Sequence, residues 1–173
     1  MRKKILILIT TLMAACLFLF TGCSEELPEY DNIITALDNY REQYGKYRNS
    51  GDTAMIDISH EDTTTISGDP CKSYYIKSPD GKFETVTLEV NDGNLLSVDE
   101  YFHLSDKAFT VVRSYIDPET YTPVINRYYV FFGKIYRIDE EAKTLVKVDD
   151  ETASQFYTSF SDLVAKYGGS NDA

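Results

Sequence analysis

The chain has 173 residues, with 28 Asp and Glu against 17 Lys and Arg and a formal net charge of −11. So acidic a surface repels phosphates, which excludes non-specific nucleic acid binding and favours cationic partners or bound cations. The length is that of one ordinary domain, enough to bury a sizeable core without a disulfide or metal staple.

Arg2, Lys3 and Lys4 form a short positive head, an uncharged run from Ile5 to Phe20 follows, and Phe20-Thr21-Gly22-Cys23 closes the segment. A basic head, an apolar middle and small residues before a cut describe a secretory signal peptide. The run is 16 residues long, short of the roughly 18 that a bilayer core asks for, so an uncleaved transmembrane anchor is the weaker alternative. The ending resembles the lipobox of bacterial lipoproteins, usually Leu-(Ala/Ser/Thr)-(Gly/Ala)-Cys, with Phe20 standing where Leu is commonest. The resemblance covers residues 1–23. It implies cleavage between Gly22 and Cys23, a diacylglycerol thioether on Cys23, and a chain anchored by lipid on the extracytoplasmic face of the cell membrane. Loss of residues 1–22 removes Arg2, Lys3 and Lys4 and takes the net charge from −11 to −14.

The predicted organisation after the signal segment is an acidic tether over 23–30, a single α+β domain over 31–169 and a polar tail over 170–173. The tether contains Pro28 and shows no periodicity. Its residues beyond the anchor reach at most about 25 Å, which keeps the domain close to the lipid surface.

Ile33, Leu37, Tyr40 and Tyr44 recur at helical spacing, with Asp31 as N-cap and Gly45 as the stop, and so predict a helix over 31–44. From about 53 to 149 the period becomes two. Seven or eight short strands follow, punctuated by Ser78-Pro79-Asp80-Gly81, Asn91-Asp92-Gly93-Asn94 and the Asp117–Pro123 link. Glu61–Pro70 reads as a loop. Short links make sequential neighbours pair antiparallel, as a meander. Tyr128–Phe132 is apolar on both faces, which predicts a strand buried twice. A last helix over 151–167, capped by Asp150, carries Phe156, Phe160, Leu163, Val164 and Tyr167 as its stripe.

The predicted fold is therefore α+β: an N-terminal helix, an antiparallel meander of seven or eight strands, and a C-terminal helix packed on the sheet. Two helices shield one face of such a sheet, which leaves the other polar or curled upon itself. A curled sheet would resemble the half-barrels of lipoprotein-carrier type, whose concave face takes up acyl chains.

Most catalytic signatures are missing from the sequence. His60-Glu61 begins like a zinc-protease motif, but Thr64 occupies the second ligand position. His103 falls on the strand face opposite Phe102 and is expected to face solvent. Asp57, Glu61, Asp62 and Asp69 gather near His60, a pattern more typical of a solvated loop than of a cation site. Asp99 and Glu100 are adjacent on a strand and so face opposite ways. Cys71, the one cysteine left after Cys16 departs and Cys23 is acylated, reads as a small buried hydrophobe. No catalytic residue, metal ligand or cofactor is assigned.

All 14 Tyr lie beyond residue 23, and Trp is absent. Tyrosine suits half-buried pleated surfaces and also recognition surfaces where apolar and wet regions meet. The functional expectation is a lipid-tethered, non-catalytic binding module of the bacterial envelope. Its partner would be a protein, an envelope polymer or an apolar molecule held under a curled sheet. The alternatives are a structural accessory lipoprotein, with an exposed aromatic patch and no pocket, and an enzyme, which would need a histidine facing a carboxylate or Cys71 in a cleft.

Overall fold

Eight strands pair in the order in which they occur in the chain. They are β1 (Ile56–Thr64), β2 (Pro70–Lys77), β3 (Glu84–Asn91), β4 (Leu96–Ser105), β5 (Ala108–Ile116), β6 (Pro123–Phe131), β7 (Lys134–Asp139) and β8 (Thr144–Lys147). Every neighbouring pair is antiparallel. The computed structural model describes residues 26–50, 56–91 and 96–169. The expected signal segment with Gly22 and Cys23, the expected turn residues at 92–94 and the expected tail at 170–173 lie outside these. Each end strand pairs on one side only, so the sheet is an open meander and not a closed barrel.

Helix α1 (Tyr30–Ser50) is longer than its apolar stripe predicts at both ends. Its first bonds run from the Asn32 and Ile33 amides to the Glu29 carbonyl, which places Asp31 in the first turn, where its charge suits the helix dipole. Gly45 does not stop the helix. A glycine inside a helix costs only about 1 kcal/mol, and the Glu42–Lys46 pair, 2.6 Å apart, spans it. Within the segment expected to be a tether, Leu27 packs with Ile33, Ala108, Tyr129 and Ile138.

Glu61–Thr64 continue β1 instead of forming a loop, with an irregularity between His60 and Thr63. This is an exposed edge strand, and acidic side chains together with a bulge are common ways to protect such an edge from pairing. The true turn is Thr65–Asp69, closed by the Thr65 amide on the Asp69 carbonyl at 2.9 Å, with Gly68 at φ +90°.

The C-terminal helix is broken in two. Asp149, not Asp150, caps α2 (Asp150–Ala153) by accepting from the Thr152 amide at 2.7 Å. The chain then leaves the helix and restarts as α3 (Phe160–Tyr167). Ser154 donates to the Glu151 carbonyl and Ser159 shares a hydrogen bond with Ser161, the local bonding that competes with a helical ladder. The break drops Phe156 into the core against Tyr128, ring centroids 4.6 Å apart.

The two helical segments lie on opposite faces of the sheet, contrary to a one-sided cover. Leu37 and Tyr40 of α1 pack with Phe83, Phe102 and Val112 on one face. Phe160, Leu163 and Tyr167 of α3 pack with Tyr75, Val86, Tyr101, Val111 and Val130 on the other. The reason lies in the central strands: Val111 and Val112, like Tyr128 and Tyr129, are neighbours that point to opposite faces and are both buried. Tyr40 also ties α1 to the edge of β3 by donating to the Glu84 carbonyl, and it accepts from the Glu84 amide at 2.6 Å. No helix among the described residues is long and apolar enough to cross a membrane.

Candidate functional site

The α3 face is covered only in part, and among the described residues two grooves of about 500 Å³ remain on it. The first lies toward the end of the sheet where the Thr65–Asp69 turn stands. Strand register builds its floor. Asp99 on β4 is directly opposite Arg113 on β5, which is directly opposite Asn126 on β6. Two residues further along, Ser97 stands opposite Tyr115, and in the other direction Tyr101 and Tyr128 flank Val111. The groove over these rows has a volume of about 490 Å³.

Arg113 is held on every side. Its Nε and Nη2 donate to the two oxygens of Asp99, both at 2.8 Å, and its Nη1 donates to Gln155 Oε1 at 2.9 Å. The guanidinium lies 4.1 Å from the centre of the Phe156 ring. The side chains are 21% and 13% exposed, so the ion pair sits at the groove floor, partly withdrawn from water. Burial works against the guanidinium charge, but the Asp99 hydrogen bonds and charge outweigh it, and the pKa of Arg113 rises. Burial, with the Asp99 charge adding, keeps the Tyr101 phenol well above its usual range and therefore neutral.

The second groove, about 510 Å³, lies at the opposite end, between the β4–β5 and β6–β7 turns and the start of α3. Its polar feature is Glu84, which accepts from the Tyr75 hydroxyl at 2.7 Å and from Lys77 Nζ at 3.4 Å. His103 Nδ1 lies 3.5 Å from the other Glu84 oxygen, and the imidazole stacks on Phe160 with centroids 4.7 Å apart. His103 is thus not a solvent-facing strand residue. The alternation that sets it opposite Phe102 is correct, but the face it occupies is the one α3 covers. Lys107 closes one side of this groove, 4.9 Å above the Phe132 ring.

Of the remaining sequence candidates, Asp57 and Asp62 are exposed on β1. His60 Nε2 is 3.2 Å from the Tyr167 carbonyl at the end of α3. Glu61 pairs with Lys72 at 2.6 Å, and Asp69 hydrogen-bonds within the Thr65 turn. Among the described residues no group of three or more His, Cys, Asp or Glu is placed to hold a metal ion. Cys71 is buried in the α3-side core, and burial raises its thiol pKa. A thiol so held is a poor nucleophile. Asp99 and Glu100 stand opposite Arg113 and Val112 in the β4–β5 register, hence on opposite faces.

The sequence pattern did not single out Arg113, Glu84 or Gln155. The one available signal was a charged residue at an inward-facing position of a strand: Asp99 and Arg113 share a face with Tyr101 and Val111.

The chain is thus an α+β protein whose open eight-stranded meander is faced by helices on both sides. No family model matches it, and neither does any curated protein or solved structure.

Proposed function

We propose that the protein is a lipid-tethered, extracytoplasmic binding module of a bacterial envelope, anchored through Cys23, and that the Asp99–Arg113 groove is its recognition site. The anchor rests on the lipobox-like Phe20–Cys23. The recognition site rests chiefly on the floor of the groove. A partly buried ion pair contributes little net stability, yet this one is locked by register, by Gln155 and by Phe156 at a concave surface. That is the preorganisation a ligand site requires.

An apolar ligand beneath a curled sheet is a weaker form of the same reading. The face that would enclose an acyl chain is occupied by Phe156, Phe160, Leu163 and Tyr167. A purely structural lipoprotein is disfavoured by the two grooves, and among the described residues Tyr121, at 81%, is the only aromatic one of the large exposed apolar side chains. One observation favours a hydrolytic enzyme as the second reading: His103 faces the Glu84 carboxylate at a groove wall, the start of a base–orienter pair. A hydrolytic activity lost in His103→Gln and kept in Tyr115→Ala would favour that enzyme over the binding module.

Fractionation of cells carrying wild type or Cys23→Ala tests the tether. Wild type is expected in the membrane fraction with the mass of two acyl chains on Cys23, and Cys23→Ala is expected without that mass. Wild type in the cytoplasm would end the proposal.

A further inference from the structure

We infer that the Asp99–Arg113 groove takes a neutral saccharide, with Tyr115 as the flat surface on which a sugar ring lies. This rests on the binding-module reading and names its ligand class.

Charge decides first. Both Asp99 oxygens meet the guanidinium at 2.8 Å, so the pair presents no net charge to a ligand. Asp69 lines the same groove, and the chain as a whole carries −11. An anionic ligand is repelled by both. A cationic ligand finds the carboxylate of this row already neutralised by Arg113, and a neutral ligand needs no counter-charge there.

Hydrogen-bond geometry narrows the class. Asp99 accepts, Arg113 donates, and the amides of Asn126 and Gln155 do both. All four groups are planar, with fixed directions, and three of them share one row across β4, β5 and β6. The complement of such a row is a set of hydroxyl groups, each able to donate and to accept.

Half-buried Tyr115 supplies the apolar surface. It sits in the next row on the same face, about 7 Å along the strand from Arg113. A sugar ring has apolar C–H faces and a polar rim, and an aromatic ring beside a planar polar row suits both. The volume of about 490 Å³ is within the range of small-molecule sites.

The test is isothermal titration of the full lipidated chain in a detergent without a sugar headgroup. The neutral probes are maltohexaose and chitohexaose, the anionic probe is oligogalacturonate and the cationic probe is hexalysine. Saturable binding of a neutral hexasaccharide is expected, weakened about tenfold or more by Tyr115→Ala and by Asn126→Ala. Tyr121→Ala, outside the groove, is expected to bind as wild type does. Circular dichroism checks that each variant is folded. Hexalysine or oligogalacturonate binding that Tyr115→Ala abolishes, with neither neutral sugar bound, overturns the neutral saccharide and leaves the recognition site standing. Neutral-sugar binding that survives in Tyr115→Ala overturns the inference as well. Absence of binding by every probe overturns both the saccharide and the groove as recognition site, while the tether is judged separately by Cys23→Ala.

Discussion

Arg113 and Asp99 face each other across β4 and β5 and share two hydrogen bonds of 2.8 Å, a fork that neither residue could make from a neighbouring register. A slip of one residue would turn every side chain of β5 to the other face. The pair therefore helps define the register as well as floor the groove.

Removing one partner should cost more than removing both. Asp99→Leu leaves a partly buried guanidinium without its counter-charge, and a loss of about 3 kcal/mol is expected in urea unfolding. Adding Arg113→Leu to that variant should restore most of it. A double variant no more stable than the single one would contradict this account of the pair.

Tyr40 separates packing from hydrogen bonding in the attachment of α1. Tyr40→Phe keeps the contacts with Phe83 and Phe102 but loses the bonds to the Glu84 backbone, for about 1 kcal/mol. Tyr40→Ala also opens a cavity and should cost about 3–5 kcal/mol. Chemical denaturation of the two variants checks the ordering.

Acid sensitivity should trace in part to two capping carboxylates. The backbone amide of Thr152 lowers the Asp149 pKa, and the amides of Thr120 and Glu119 lower that of Asp117. A lowered folded-state pKa gives stability that is complete above the ordinary Asp range. That stability is lost as pH falls through that range and below it. Asp149→Asn and Asp117→Asn keep a side-chain acceptor without a titrating charge. The unfolding midpoint of the double variant should therefore fall less than that of wild type between pH 5 and pH 2, and parallel curves would contradict the assignment.

The β6–β7 turn places Phe132 and Gly133 at positive φ, +48° and +73°. Such two-residue turns favour Asn-Gly. Gly133→Ala should destabilise by about 1 kcal/mol in thermal or urea unfolding, because alanine resists that backbone conformation. An unchanged midpoint would show that the turn relaxes.

Much of the fold was legible because its signals are local. Period-two alternation and turn chemistry marked the strands, and the double-sided Tyr128–Phe132 marked a strand buried on both faces. Features that depend on tertiary context were not legible. Gly45 stays helical because a single glycine costs little, and the stripe of the last helix did not reveal that Phe156 leaves the helix to reach Tyr128. The expected surface position of His103 followed from the correct face but the wrong cover. The groove was the least legible, since Asp99, Arg113 and Gln155 meet only through strand register and a break in a helix, neither of which a residue pattern displays.

The most direct test of the central claim is the intact mass of the chain extracted from the membrane fraction. The account predicts a chain that begins at Cys23 and carries the added mass of a diacylglycerol. A membrane-extracted chain that retains residues 1–22 with an unmodified Cys23 would contradict it.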